Sequence, residues 1–240
     1  MRPDETGNPA KIYYKEKIMG IYQIAVDGPS GSGKSTLAKG VAKELGIMYL
    51  DTGAMYRTCG LAAIKRGISP KDNDKVTEMM NDMKLEVKFE DGVQHMILDG
   101  EDVTGMIRTP EVSVAASDIS ALPVVRQSMV SMQREIAKSQ SFVLDGRDIA
   151  SNVLPNAKYK FYVTAKAETR AERRLKELNE RGDFSQNYEE VLRDIQYRDE
   201  QDTHREFAPL TKVPEAIVIN TEDYTIEGTR DFLLSHIKED

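Results

Sequence analysis

The nine residues Gly28-Pro29-Ser30-Gly31-Ser32-Gly33-Lys34-Ser35-Thr36 constrain this chain more than any other stretch. They follow an apolar run, IYQIAV, and precede a helical pattern with Leu37, Val41 and Leu45 on one face. A strand, then G-x-x-x-x-G-K-S, then a helix is the setting a phosphate-binding loop requires. Gly28, Gly31 and Gly33 let the backbone curl so that N–H groups point at phosphate oxygens, and the helix start adds its positive dipole end. Lys34 supplies a point charge for the β- and γ-phosphates, and Ser35 offers a hydroxyl to Mg2+. A glycine-rich turn that binds nothing is the plain alternative. The strand before the loop and the helix after it weigh against that alternative.

The rest of the chain alternates in the same way. Predicted strands lie at 47–50, 141–148, 158–165 and 216–220, and predicted helices at 35–45, 51–67, 122–137, 167–179, 188–202 and 226–237. Thr52 is the expected N-cap of the second helix and Gly67 its stop. Strands separated by helices imply an α/β fold with a parallel sheet covered on both faces. One stretch breaks the alternation. After a polar helical stripe at 69–83, LEVKFEDGVQHMILDGEDV reads as two alternating runs about a D-G turn, with Leu85, Val87 and Phe89 in phase. This hairpin marks an inserted subdomain at about 70–118, leaving a core at 21–69 and 119–240. Residues 1–20 hold two prolines and no apolar period, and are expected to form a mobile extension.

Composition narrows the classes. The chain has 240 residues and a formal charge of -7, which suits neither a basic nucleic-acid-binding face nor sequence-independent DNA binding. No apolar run approaches the ~20 residues needed to span a bilayer, so no membrane association is expected. A single cysteine, Cys59, cannot form an internal disulfide and fits a reducing, cytoplasmic setting, where it is expected to pack as a small apolar residue. The three histidines are far apart, with no metal-ligand spacing.

A phosphate loop needs an acidic partner at the end of an apolar strand. Asp145, after Phe142, Val143 and Leu144, fills that place and is expected to hold the magnesium shell, although D-G is also a common turn pair. No N-K-x-D guanine-reading motif and no L-S-G-G-Q transport signature are present. Arginines recur near strand ends and helix starts: Arg57, Arg108, Arg126, Arg147, Arg198 and Arg205. Any one of them reads as a solvated surface charge, but several at such junctions suggest a second anion site. A phosphate-monoester acceptor has a second pKa of about 6 and needs no general base. Its obstacle is charge repulsion, which arginine, lysine and magnesium remove. An alcohol acceptor would call for a carboxylate base instead.

The segments IAVDGPSGSGKST, LDTGAMYR, ILDGEDVTGMIRTPEV, VAASDIS, DGRDIA and REFAPL resemble, in this order, the bacterial cytidylate kinases, over almost the whole chain from Ile21. The resemblance implies a three-layer P-loop fold with a nucleoside-monophosphate insert containing a small antiparallel sheet, and a helical lid at about 170–190. It implies ATP and Mg2+ as cofactors and CMP and dCMP as acceptors; the oligomeric state is open, with a monomer as the default. Residues 28–36 would hold the ATP phosphates. Arg57, Arg147 and Arg205 would bind the CMP phosphate, and Tyr56 would line its pocket. Thr52 stands where the family often has serine and keeps the hydroxyl. Ser117 and Asp148 would read the cytosine amino group, Arg126 the ring acceptors, and Asp202 a sugar hydroxyl. Arg108 would support the insert, and Arg174 would be the lid arginine reaching the transferring phosphate. Many relatives have G-K-G where this chain has Gly33-Lys34-Ser35, so the magnesium hydroxyl is that of Ser35 or of Thr36. A UMP or AMP kinase is the alternative within the class, and a regulatory nucleotide-binding protein without turnover is the alternative outside it.

Overall fold

The structure, a computed structural model, describes residues 20–237. The expectation for residues 1–20 therefore falls, Gly20 apart, outside the described residues. Five strands, β1 (Gln23–Asp27), β2 (Met48–Asp51), β6 (Phe142–Gly146), β7 (Tyr159–Thr164) and β8 (Ile217–Asn220), form one sheet in the order β2-β6-β1-β7-β8. All of its pairings are parallel, with Val26 opposite Asp145 and Asp51 opposite Asp145 on the other side. The carboxyl ends of the central strands thus meet at one edge, where ligands of such sheets bind.

Alternate side chains along each strand face opposite layers. Ile24, Val26, Val143, Phe161 and Val163 pack on Leu37 and Val41 of α1 (Lys34–Leu45) and on Leu233 of α8 (Ile226–His236). Ala25, Leu50, Phe142 and Leu144 face α2 (Thr52–Lys65) and α5 (Pro123–Ala137) through Met55, Cys59, Val125 and Met129. Both faces are therefore covered. Cys59 is buried with its Sγ 3.8 Å from the sulfur of Met129, and burial pushes its thiol up to about 12, as a packing residue requires.

The antiparallel sheet holds β3 (Leu85–Glu90), β4 (Val93–Leu98) and a two-residue β5 (Glu101–Asp102). Asp91 and Gly92 form its turn with positive φ, and Leu85, Val87 and Phe89 pack inward on the same core as α2 and α5. The third strand was not foreseen, because two exposed residues carry no alternation. Helix α3 (Asn73–Asp82) is shorter than the polar stripe suggested, since Asp72 caps it. Helix α4 (Pro110–Ile119), capped by Thr109 with Pro110 in its first turn, was also not foreseen. The sequence-based N-cap at Thr52 is incorrect. Asp51 has extended backbone and accepts the Ala54 N–H at 2.8 Å, so Thr52 is already helical. The first strand starts at Gln23 rather than Ile21 and runs on to Asp27.

Two helices lie between β7 and β8, α6 (Ala167–Glu180) and α7 (Tyr188–His204). Between them Gly182 adopts positive φ, and Asn187 with Glu190 forms a reciprocal cap on α7. Directly after β6, residues Ile149–Val153 make a single π-helical turn.

Candidate active site

The loop at the end of β1 is held by close backbone contact. At Gly28, φ is 154°, and a Cβ would stand 2.0 Å from the Val163 carbonyl oxygen. Only glycine lets the loop lie this close to β7. No side chain caps the start of α1, so its first N–H groups are left for a ligand. The loop carbonyls are tied to other elements: Thr221 donates to Ser32 O at 3.1 Å, and the buried Arg170 donates to Ser30 O at 3.0 Å. Arg170 also forks onto Asp199 of α7. Lys34 is buried and its Nζ donates to Pro29 O at 3.2 Å. Burial, then the neighbouring charge of Arg147, lowers its pKa to about 7.

Asp145 lies beside this loop and is buried. Ser35 donates to its Oδ2 at 2.7 Å and Tyr49 to its Oδ1 at 2.6 Å, while Thr52 donates to its backbone carbonyl at 2.8 Å. Burial, followed by the nearby Asp51, raises the Asp145 carboxyl above its ordinary range. A hydroxyl and a carboxylate side by side are hard oxygen donors that fit Mg2+, an ion that takes few protein ligands and keeps water and phosphate oxygens. Among the described residues there is no cluster of three acidic, histidine or cysteine ligands. It is Ser35 that meets Asp145, whereas Thr36 is exposed.

Two cavities open on the loop. The inner one, of about 150 Å3, holds Tyr56, Ser117, Arg126, Arg147, Asp148, Asp202 and Arg205 in its wall, so the structure brings these predicted residues together. Arg147 Nε donates to Asp202 Oδ2 at 2.6 Å. Arg126 donates to Asp148 Oδ1 at 3.0 Å and to Ser120 O, and lies 5.0 Å over the Tyr56 ring. Arg205 reaches Asp148 Oδ1 at 3.4 Å and Ala208 O at 2.7 Å. Four buried polar atoms of this wall have no partner: Tyr56 Oη, Arg57 Nε, Ser117 Oγ and Arg198 Nε. Burial and then a neighbouring arginine depress two of these cations, Arg198 to about 10 beside Arg147 and Arg205 to about 10 beside Arg126. Orphaned donors and crowded cations together call for an anionic ligand rich in acceptors.

The outer cleft, of about 660 Å3, runs over the loop to Arg173 and Arg174 of α6 and to Thr225 and Ile226. Arg174 pairs there with Glu177 at 3.3 Å. Lys34, Arg57 and Arg198 line both cavities. Arg108, between β5 and α4, does not line the inner cavity. It meets Asp51 at 2.9 Å, as Arg57 does at 2.8 Å. Although burial opposes it, this pair of arginines holds the Asp51 carboxyl down at about 2.

Sequence reasoning missed Asp51 and Tyr49, and placed Arg198 only among the arginines of a second anion site. Arg198 and Asp202 are four apart on α7 and share one helix face, a signal that spacing could have supplied. Tyr49 acts through Asp145, and Asp51 through Arg108 as well as the nearby Arg57.

A parallel sheet whose first strand feeds a phosphate loop, with an acidic strand end beside the loop serine, places the molecule among the P-loop nucleotide-binding proteins. The family model described as cytidylate kinase matches residues 24–239. Proteins named cytidylate kinase are similar to the chain: one from Caldicellulosiruptor bescii is 49% identical, covering 85% of this chain and 90% of its own. One from Halalkalibacterium halodurans is 42% identical over 90% and 97%. One from Lactobacillus gasseri is 40% identical over 89% and 92%. The chain belongs to the cytidylate kinase family.

Proposed function

We propose that the chain transfers the γ-phosphoryl of Mg·ATP to CMP or dCMP, giving CDP or dCDP and ADP. One observation carries the reading. A donor-sized cleft and an inner cavity share a wall of three cations, Lys34, Arg57 and Arg198, where a phosphoryl group would cross. ATP phosphates would lie along the loop N–H groups and Lys34. The CMP phosphate would lie against Arg57, Arg147, Arg198 and Arg205, replacing the contacts these groups now lack or share. Asp202, close to Arg147, would take a sugar hydroxyl.

Cytosine differs from uracil at position 4, where an amino donor replaces a carbonyl. Asp148 accepts hydrogen bonds and Ser117 Oγ stands without a partner, so both suit the amino group. Arg126, stacked on Tyr56, would face the ring acceptors. The acceptor phosphate is mostly dianionic at pH 7 and attacks without a base, so the residues act by placing two anions in line and stabilising the charge of the transition state. When bound beside Ser35 and Asp145, Mg2+ would neutralise charge on the transferred group. Arg174 would approach from the outer cleft. The insert at about 70–118 and a lid at about 170–190 would close over the two nucleotides, in a monomeric, cytoplasmic enzyme of pyrimidine nucleotide metabolism. No helix among the described residues is long and apolar enough to cross a membrane.

The test is ADP release with Mg·ATP and CMP, dCMP, UMP or AMP in parallel. Turnover confined to the two cytidine nucleotides supports the reading. Comparable rates with UMP would overturn the base assignment, and no turnover with any acceptor would favour a binding protein.

A further inference from the structure

We propose that Asn152 is a positioning residue that sets the discrimination between cytosine and uracil by holding Asp148. The inference rests on the reading of Asp148 as the group that meets the base amino group.

Asn152 is not in the wall of the inner cavity, whereas Asp148 is. Its Nδ2 donates to Asp148 Oδ2 at 2.9 Å. The other oxygen, Oδ1, takes the guanidinium groups of Arg126 at 3.0 Å and Arg205 at 3.4 Å. Asp148 is therefore gripped on both oxygens, by two cations on one side and by a neutral amide on the other.

The π-helical turn puts the amide there. The N–H groups of Asn152 and Val153 both reach the Asp148 carbonyl, at 2.9 and 3.0 Å, and the Leu154 N–H reaches Ile149 O at 2.7 Å. Both ends of the turn are clamped from outside. The buried Asp27 accepts the N–H groups of Ile149 and Ala150 at 2.8 Å each. Arg134 of α5 donates to the carbonyls of Asn152 at 2.7 Å and Val153 at 3.0 Å. Single π turns of this kind recur at functional positions. Here the turn is held rigid, and it directs one side chain back onto the residue that precedes it.

The consequence follows from the soft torsion of a carboxylate about its Cβ–Cγ bond. Pinned on both oxygens, Asp148 keeps a lone pair toward the cavity. A cytosine amino group would donate to it, and a uracil carbonyl would meet it lone pair to lone pair. Pinned on Oδ1 alone, the carboxylate could turn toward its two arginines and withdraw that lone pair. A guanidinium could then face a uracil carbonyl.

The experiment is the ratio of kcat/KM for CMP to that for UMP in the full chain. Asn152→Leu, similar in size and without a donor, is expected to lower the ratio by about tenfold, the usual effect of one hydrogen bond on discrimination. The KM for ATP and the melting temperature should stay close to those of the unaltered protein. Asn152→Asp, which sets an acceptor against the carboxylate, should lower the ratio at least as far. In an Asp148→Asn background, Asn152→Leu should change the ratio no further. If Asp148→Asn itself leaves the ratio unchanged, the reading of Asp148 fails. If Asp148→Asn collapses the ratio but Asn152→Leu and Asn152→Asp slow both substrates equally, Asn152 is a structural residue and this inference alone is overturned. Asn152→Ala serves in place of Asn152→Leu should that variant not fold.

Discussion

Ser35 and Tyr49 hold opposite oxygens of the Asp145 carboxylate, at 2.7 and 2.6 Å. The phenol comes from β2 and the hydroxyl from the start of α1, so the acidic end of β6 is oriented from two neighbours at once. Tyr49→Phe removes one of these bonds and little volume. It should raise the Mg2+ concentration for half-maximal activity by about fivefold, roughly the worth of one hydrogen bond, while kcat at saturating metal changes little. Binding of Mn2+ followed by electron paramagnetic resonance, in the presence of ATP, provides a second readout. An unchanged metal requirement would remove Tyr49 from this role.

Lys34 is lowered from 10.5 to about 7 by burial and then by Arg147. A triphosphate would raise it again. Between about pH 7 and pH 10.5 the free protein then holds fewer protons at this group than the ATP complex. Binding ATP at pH 8 should take up close to one proton, and at pH 6 none from this source. Affinity for ATP should fall above pH 7 by up to about tenfold per pH unit. Calorimetry in buffers of different ionisation enthalpy measures the uptake, and Lys34→Met should abolish it. The same variant should lose on the order of 10²–10³ in kcat.

Arg198 lines both cavities, and its buried Nε has no partner. Arg198→Met keeps most of the side-chain bulk and removes the charge. It should lower kcat/KM for CMP by about 10²–10³, with little loss of the empty fold. Initial rates and thermal melting test both halves. Activity within a few-fold of the unaltered protein would contradict a role at the shared wall.

Gly28→Ala should damage the fold as well as the chemistry. Its Cβ would meet the Val163 carbonyl oxygen at 2.0 Å, a contact that β7 can relieve only by moving away from the loop. The expected cost is about 3 kcal/mol, at the upper end for overpacking, read from the denaturant midpoint. Gly67, with nothing within 4 Å of its Cβ but φ of 64°, is the control, where the loss comes from backbone strain alone.

The loop, the parallel sheet and Asp145 were legible because each is written locally: an apolar run, a glycine spacing, an acid at a strand end. The cap of α2 was misplaced by one residue, since Asp51 and Thr52 are both good caps and only the extended backbone of Asp51 decides between them. The ion pair of Asp51 with Arg108 was not legible. Arg108 lies 57 positions further on, between β5 and α4, and no periodicity links it to Asp51. Likewise Asn152 and Asp148 are four apart, which reads as an ordinary helical turn. The extra residue in the π turn, and the side-chain contact it creates, come from Asp27 and Arg134 in distant segments. Tertiary partners, rather than local propensity, placed the residues that the motifs did not name.

Lys34, Arg147 and Arg198 line one small space, where burial and then the charge of Arg147 lower the tendency of both Lys34 and Arg198 to stay charged. Nucleotide phosphates placed among these cations would offset that cost, so bound nucleotide would act as part of the scaffolding. Melting temperature should climb with ATP and CMP together by more than with either alone. In a starved cell, molecules without nucleotide would open more often and meet proteases sooner. Abundance of this chain would then follow the supply of the compounds it consumes, with no dedicated regulator required.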